Sequence, residues 1–469
     1  MIKKTFIIIL TLIFASTSLY ADFYYSGGKK HILKKVKTSR ALGTNSEYSF
    51  QTELGETITV NRGIIVAFSD KNIRKVIEQK YNLYFVKTLT DEMFLYRIKD
   101  VSKTVETANL IYEEDGVEFC HPDFQRTKKN RAITNDPYAG NSWHLLDTRY
   151  RDGGDVNIEQ AWRYTKGAGV KVAIYDKGID LDHPDLRENI FAFKNYNDPD
   201  SDIPYSDNDT QWHGTACAGI LSARENRVGS VGIAPLSSLY AVGYSENNIS
   251  KDIEAYMWMM DENVSVINNS WGSYSALDAY TAIFKLLATK GRDNKGIILI
   301  FAAGNNSENL DEQGINDESE SPYVFSVAAS TRQNSIASYS NYGKAVDFTA
   351  PGGSSGGSGI FTTDARGSIG YNGGDYNQNF IGTSAAAPIV SGTVALMIAA
   401  NPKLTRDNIF KILKFTASKK GNYPYDENGH NVHWGYGKID AGRAVEVAYS
   451  YGNSNLKNFA RTMFNALIN

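Results

Sequence analysis

The sequence predicts an α/β chain in two parts: a small α+β unit of ferredoxin-like order, then a larger domain with a mostly parallel central sheet. Three observations predict it. Between residues 63 and 120 the strand and helix signals follow the order βαββαβ. Beyond a charged linker, six apolar, β-rich runs at 170–175, 239–242, 264–268, 296–302, 324–328 and 346–348 alternate with helical stretches. Unbroken apolar strands between helices imply a parallel sheet covered on both faces, hence three layers. Finally, 469 residues with 42% hydrophobic and 22% charged side chains suffice for two or three ordinary folded domains.

The elements follow in order. Lys3 and Lys4 precede the apolar stretch 6–14, and Ala15-Ser-Thr-Ser18 and Tyr20-Ala21 supply small residues for cleavage after Ala21. Residues 1–21 therefore read as a secretory signal. The apolar stretch falls short of the roughly 18 residues a membrane span needs. No later segment reads as long and apolar enough to cross a bilayer, so no stable span is expected after cleavage. Residues 22–53 are polar and Gly/Ser-rich, with Lys29, Lys30, Lys34, Lys35 and Lys37, and read as a poorly ordered leader. The small unit occupies 54–125, with strands at 63–68, 83–86, 93–98 and 116–120 and helices at 71–80 and 102–112. The linker is 126–134, the large domain 135–450, and a tail 451–469 closes the chain. Cys120 and Cys217 fall on opposite sides of the linker, so two free thiols are expected, Cys217 buried in an apolar helix. A net charge of −3 argues against a nucleic-acid surface.

Three motifs carry chemistry. Asp176 ends the strand Val172-Ala-Ile-Tyr-Asp176, His213 opens His213-Gly-Thr215, and Ser384 lies in Gly382-Thr-Ser384-Ala-Ala-Ala-Pro388. A serine hydroxyl is a poor nucleophile until a base takes its proton. His213 is the candidate base, and Asp176 would hold the other ring nitrogen. The Ala-rich stretch 382–400 reads as a helix, which puts Ser384 at a helix N-terminus with its positive dipole end. Asn305, in Ala302-Ala-Gly-Asn305, is the candidate side-chain donor to an oxyanion, beside the Ser384 N–H. Asp176 and the Gly304-Asn305 turn both follow strands, where open α/β sheets bind ligands.

The order acid, imidazole, serine separates this constellation from chymotrypsin-like barrels and α/β-hydrolases. The segment from about 135 to 447 resembles a subtilisin-like serine protease domain, of the kexin/proprotein-convertase branch. His213-Gly-Thr-Ala-Cys217-Ala-Gly, Ser270-Trp-Gly272, Ala350-Pro-Gly-Gly353 and the Ser384 motif carry the likeness. The resemblance implies a subtilisin-like three-layer fold with Asp176, His213 and Ser384 as triad and Asn305 as oxyanion donor. It implies that Ser270, Trp271 and Gly272 belong to the strand that pairs with substrate backbone. It also implies that 54–125 is a ferredoxin-like prodomain, an intramolecular chaperone and inhibitor, released by cleavage at Arg131–Ala132 or Lys129–Asn130.

The likeness has departures. Lys177 stands where the family commonly has Ser, Thr or Asp, and reads as a solvent-facing charge. The stretch Ser273-Tyr-Ser275 lacks the acids that convertases use for a basic P1 side chain, so Asp317 or Glu318 would have to supply them. Calcium is expected, because hard cations need clustered oxygens. The resemblance places it on Asp136, Asp185 and Asn226 with the carbonyls of Ala223, Val228 and Ser230, and Asp198-Pro-Asp200-Ser-Asp202 is a second acidic loop. The expectation is a secreted or exported, self-processing serine endopeptidase acting on proteins or peptides. A Ser-triad esterase fits less well, because Ser384 is not in Gly-x-Ser-x-Gly. A catalytically impaired binding protein on the same scaffold is the remaining alternative.

Overall fold

The computed structural model describes residues 22–26, 29–35, 48–52, 57–126, 134–147, 153–196, 212–244, 248–273, 277–312, 317–421 and 423–451. The signal segment, both cleavage bonds of the linker, the acidic loop 198–202 and the tail beyond 451 lie outside them. The chain divides into two compact units, 1–131 and 132–469.

The first unit has strands β1 (Asp22–Ser26), β2 (Lys29–Lys35), β3 (Tyr48–Thr52) and β4 (Thr57–Phe68), then α1 (Arg74–Lys80), β5 (Tyr84–Thr88), β6 (Met93–Arg97), α2 (Thr104–Tyr112) and β7 (Val117–Arg126). β4 pairs antiparallel with β6 and β7, and β5 pairs with β6, which is the βαββαβ order expected. Ile64, Val66 and Phe68 of β4 pack with Ile77, Phe94, Tyr96, Ala108 and Ile111 between sheet and helices. β7 outruns the expected strand and carries Pro122; it is an edge strand whose pairing with β4 shifts register there, so the missing N–H is tolerated.

The leader needs correction. Residues 22–26, 29–35 and 48–52 are ordered strands, since β1, β2 and β3 add in sequence to the sheet through β4. Tyr24, Leu33 and Phe50 are buried with Ile58 and Val60. A two-residue period places these side chains on one face, and Tyr24, Leu33 and Phe50 stand singly in short strands, so they leave no apolar run.

The second unit has α3 (Ile158–Ala161), β8 (Lys171–Asp176), β9 (Ile190–Asn195), α4 (His213–Ser222), β10 (Ser238–Gly243), α5 (Ile249–Asp261), β11 (Val266–Asn269), α6 (Asp278–Asn294), β12 (Ile298–Ala302), β13 (Phe325–Ser330) and β14 (Val346–Pro351). The hairpin β15 (Ile360–Thr363) and β16 (Tyr376–Phe380) leads into α7 (Thr383–Ala400), α8 (Arg406–Thr416) and α9 (Ala441–Ser450). The sheet order is β14-β13-β12-β11-β8-β10-β9, parallel throughout. All six strands expected from apolar runs are present. β9 escaped because it is an edge strand whose side chains are mostly exposed or half-buried, so it has no long apolar run.

Alternation along β8 sorts its side chains into two cores. Val172 and Ile174 join the core that holds α4 and α7, whereas Ala173 and Tyr175 join the core under α5 and α6. Asp176 shares the parity of Ile174, so its carboxylate faces the α4/α7 layer. β10 and β11 flank β8 on opposite sides, which makes the end of β8 the topological switch point, where such sheets bind ligands. A second expectation fails in the letter. Thr383–Ala400 is long and apolar enough to cross a bilayer, but it is almost entirely buried in the second unit. Its apolarity serves the core of a three-layer domain.

Candidate active site

Each functional side chain comes from an element end. Asp176 ends β8 and is almost fully buried. Its Oδ1 accepts from the Lys177 N–H at 2.7 Å and lies 2.8 Å from His213 Nδ1. His213 opens α4, whose second residue is Gly214. A Cβ there would stand 2.6 Å from the Lys177 carbonyl oxygen, so glycine lets α4 reach the turn after β8. Burial opposes a charged imidazole, but the neighbouring Asp176 carboxylate outweighs it and holds the His213 pKa above its ordinary value. Phe380 sets its ring edge-on to the imidazole at 5.4 Å.

Ser384 is the second residue of α7. Its hydroxyl donates to the Ser270 carbonyl oxygen at 3.1 Å. Asn305 is oriented without ambiguity. Its Oδ1 accepts both the Thr383 N–H at 2.8 Å and the Thr383 hydroxyl at 2.9 Å. That fixes the amide by its donors and turns Nδ2 away from them. Gly382, at φ +132°, makes the turn that seats Thr383 and Ser384 against Asn305.

Cys217 is a buried free thiol, like Cys120. Its Sγ lies 3.7 Å from His213 Nδ1 and donates to the Ser384 carbonyl at 3.5 Å. Burial pushes its pKa up, so it stays a neutral S–H and leaves the nucleophile role to Ser384.

A pocket of about 220 Å³ adjoins Ser384, and Ser270, Trp271, Gly272, Asn305 and Asp317 are among its lining residues. The sequence left Asp317 and Glu318 open as its acid, and the two now separate. Glu318 is buried and spends both oxygens on Ser273, taking its N–H and its hydroxyl at 2.7 Å each. Asp317 caps the next turn, accepting from the Ser319 N–H at 2.8 Å, and lines the pocket. Burial pushes its pKa up to about 6, with Glu318 and Glu320 adding to the rise. Lys177 sends its ammonium to Tyr244, 5.5 Å from the ring centroid.

Asp136, Asp185, Asn226 and Ser230 do come together. Asp136 Oδ1 accepts the N–H groups of Asn226 and Arg227 at 3.0 and 2.7 Å. Asp185 Oδ2 accepts the Ser230 N–H at 2.8 Å, and Asn226 Oδ1 accepts the Val228 N–H at 2.8 Å. The Ala223 carbonyl oxygen accepts the Gly232 N–H at 2.9 Å. Asp185 Oδ1 is buried with no hydrogen-bond partner. Burial, with Asp136 adding to it, pushes the Asp185 pKa up to about 6. Two buried carboxylates, one with an orphaned oxygen, are the donor set a hard cation satisfies.

Sequence reasoning missed the support behind the nucleophile. Ser391 and Asn268 are fully buried, and Ser391 Oγ donates to Asn268 Oδ1 at 2.9 Å. Asn268 Nδ2 donates to Ser270 Oγ at 2.9 Å, and Ser270 Oγ donates to the Ser384 carbonyl at 3.1 Å. The available signal was Asn268-Asn269, two amides ending an otherwise apolar strand.

Against known proteins, the profile of the Subtilase family matches residues 167–437. A "Calcium-dependent protease" of Nostoc sp. is 30% identical over 416 residues, covering 80% of this chain and 59% of that protein. "Kexin" of Saccharomyces cerevisiae is 28% identical over 346 residues, covering 70% of this chain and 41% of that protein. The alignments thus span only about half the length of these relatives. The crystal structure of a serine protease of Aeromonas sobria superposes with a TM-score of 0.59 at 23% identity, covering 69% of this chain and 70% of that one. This last match speaks to the fold.

Proposed function

This chain belongs to the subtilase family, and we propose that it is an exported serine endopeptidase made as a self-processing zymogen. The observation that carries the reading is the 2.8 Å pair of Asp176 and His213 in the same layer as Ser384 at the start of α7. A bound peptide whose N–H takes the Ser270 carbonyl frees the Ser384 hydroxyl to turn toward His213. His213 takes the proton as Ser384 Oγ attacks the peptide carbonyl, and Asp176 steadies the imidazolium. Asn305 Nδ2 and the Ser384 N–H meet the oxyanion. His213 then returns the proton to the leaving amine, and water hydrolyses the acyl-enzyme by the same path. The neutral form of His213 is the base, and its raised pKa places the acid limb of activity above the ordinary histidine value.

Residues 54–125 of the first unit are the proposed prodomain, and cleavage in the linker is the proposed activation step. The proposed export rests on the signal segment, and the likeness to a Nostoc relative named a protease supports the peptidase reading.

A basic P1 residue is the proposed specificity, since Asp317 lines the pocket and makes no ion pair among the described residues. Profiling the full-length chain against a mixed peptide library tests both readings. Cleavage after Arg and Lys is expected, with Asp317→Asn losing roughly ten- to a hundredfold in kcat/KM for those peptides only. Preference for Arg over a neutral P1 should also rise with pH through about 6, as Asp317 ionises. Equal loss on neutral P1 peptides would refute the specificity, and no cleavage of any peptide would refute the peptidase.

Calcium is the proposed structural ion, held by Asp136, Asp185 and Asn226. When bound it supplies positive charge to two buried carboxylates and needs no part in the reaction. A calcium concentration about 100 times its Kd adds about 2.7 kcal/mol and should raise the melting temperature by about 4 °C. Asp185→Asn should flatten that response; an identical melting curve in chelator and calcium counts against the site.

A further inference from the structure

Pro388 lies four residues after Ser384 inside α7. A helix carbonyl normally accepts the N–H four residues on, and proline has none. The Ser384 carbonyl, on the nucleophile itself, therefore lacks its helical partner. Two side chains replace it: Ser270 Oγ at 3.1 Å and the weaker Cys217 thiol at 3.5 Å.

Ser270 has one hydroxyl proton, and it can go to Ser384 only if Ser270 accepts elsewhere. Asn268 arranges that. Its Nδ2 donates to Ser270 Oγ at 2.9 Å, and its Oδ1 accepts from Ser391 Oγ at 2.9 Å. A flipped amide reverses the chain. Ser391 Oγ would then give its proton to the Ala387 carbonyl, 3.0 Å away, and accept from Asn268 instead. Ser270 would donate to Asn268, and the Ser384 carbonyl would keep only the thiol. All members of the chain are buried, where an unmet acceptor is costly, so the direction seen here is the favoured one.

Resting on the serine-nucleophile reading, we propose that Asn268 is a positioning residue for catalysis: by fixing the direction of the Ser270 hydroxyl it holds the Ser384 backbone and aims the side chain. Ser270 thereby grips Ser384 twice, its hydroxyl on the carbonyl and its carbonyl on the hydroxyl. Asn268 acts through Ser270 and needs no contact with substrate.

Asn268→Asp tests this with near-identical shape. A carboxylate accepts from both serines, so Ser270 turns away from Ser384. Two rates are read on the full-length chain: kcat for a peptide amide, and labelling of Ser384 by diisopropyl fluorophosphate, which needs no P1 recognition. Both should fall about tenfold, with KM within about twofold. Ser270→Ala should do the same, and the double variant should be no slower than either single one. If Asn268→Asp does not fold, Pro388→Ala replaces it as the test. It restores an N–H to the Ser384 carbonyl, so Ser270→Ala should cost little in that background. Wild-type labelling in Asn268→Asp, losses that multiply in the double variant, or an undiminished Ser270→Ala cost beside Pro388→Ala would each overturn the proposal. If the wild-type chain neither labels nor cleaves, the serine-nucleophile reading itself has failed.

Discussion

Ser384→Ala should abolish peptide hydrolysis, by on the order of a million-fold in kcat, the scale of loss when a triad nucleophile is removed. The substitution takes away a single oxygen. In the structure that oxygen bonds the Ser270 carbonyl at 3.1 Å, and the Ser384 backbone keeps its bonds from Ser270 Oγ and Cys217. The fold therefore has little reason to change, and loss of activity would report chemistry alone. The same variant separates the zymogen reading from a chain cleaved by other proteases. If the enzyme cuts its own linker, the variant should accumulate at full length, with residues 54–125 still attached. Gel mobility and N-terminal sequencing of the secreted product decide it. A normally processed, active variant would end the proposal.

Asp176→Asn should lower kcat about ten-thousandfold while leaving KM nearly unchanged. The carboxylate accepts the His213 Nδ1 proton, and its other bond from Oδ1 is to the Lys177 N–H. Both bonds fall on the same oxygen, so an asparagine with its amide oxygen in that place keeps them and still holds the imidazole. What it lacks is the negative charge that steadies the imidazolium as His213 takes the serine proton. Its Nδ2 takes the place of Oδ2, which is buried with no hydrogen-bond partner, so the amide N–H groups are left unpaired there. Loss of the carboxylate charge also removes the force that raises the His213 pKa. The acid limb of the pH–kcat/KM profile should therefore move to lower pH in whatever activity remains. An unmoved limb would assign that titration to another group.

Much of this was legible in the sequence because it was written in runs and motifs. β8, β10, β11, β12, β13 and β14 are mostly buried, so each left a short run rich in apolar and β-branched residues. The proposed triad and Asn305 were legible because each lies at or just past the end of a strand or at the start of a helix. What stayed hidden was set by partners distant in the chain. Nothing local in Asn268 announces Ser391, and the role of Pro388 appears only when the Ser384 carbonyl is traced to Ser270. β9 was hidden because an edge strand keeps exposed side chains, and β1, β2 and β3 because their buried residues, Tyr24, Leu33 and Phe50, stand singly in short strands. Glu318 and Asp317 could not be told apart until Ser273 was seen to occupy the former.

The alternation of β8 has a further consequence. Val172, Ile174 and Asp176 share one layer while Ala173 and Tyr175 share the other. The acid of the triad is thus encoded as a count of residues from the strand's buried anchors. Exchanging Ala173 or Ile174 for another apolar residue disturbs packing but keeps the count. Inserting or deleting one residue in the same strand hands the carboxylate to the α5/α6 layer, away from His213, however well the sheet repacks. The spelling of β8 can therefore change where its length cannot.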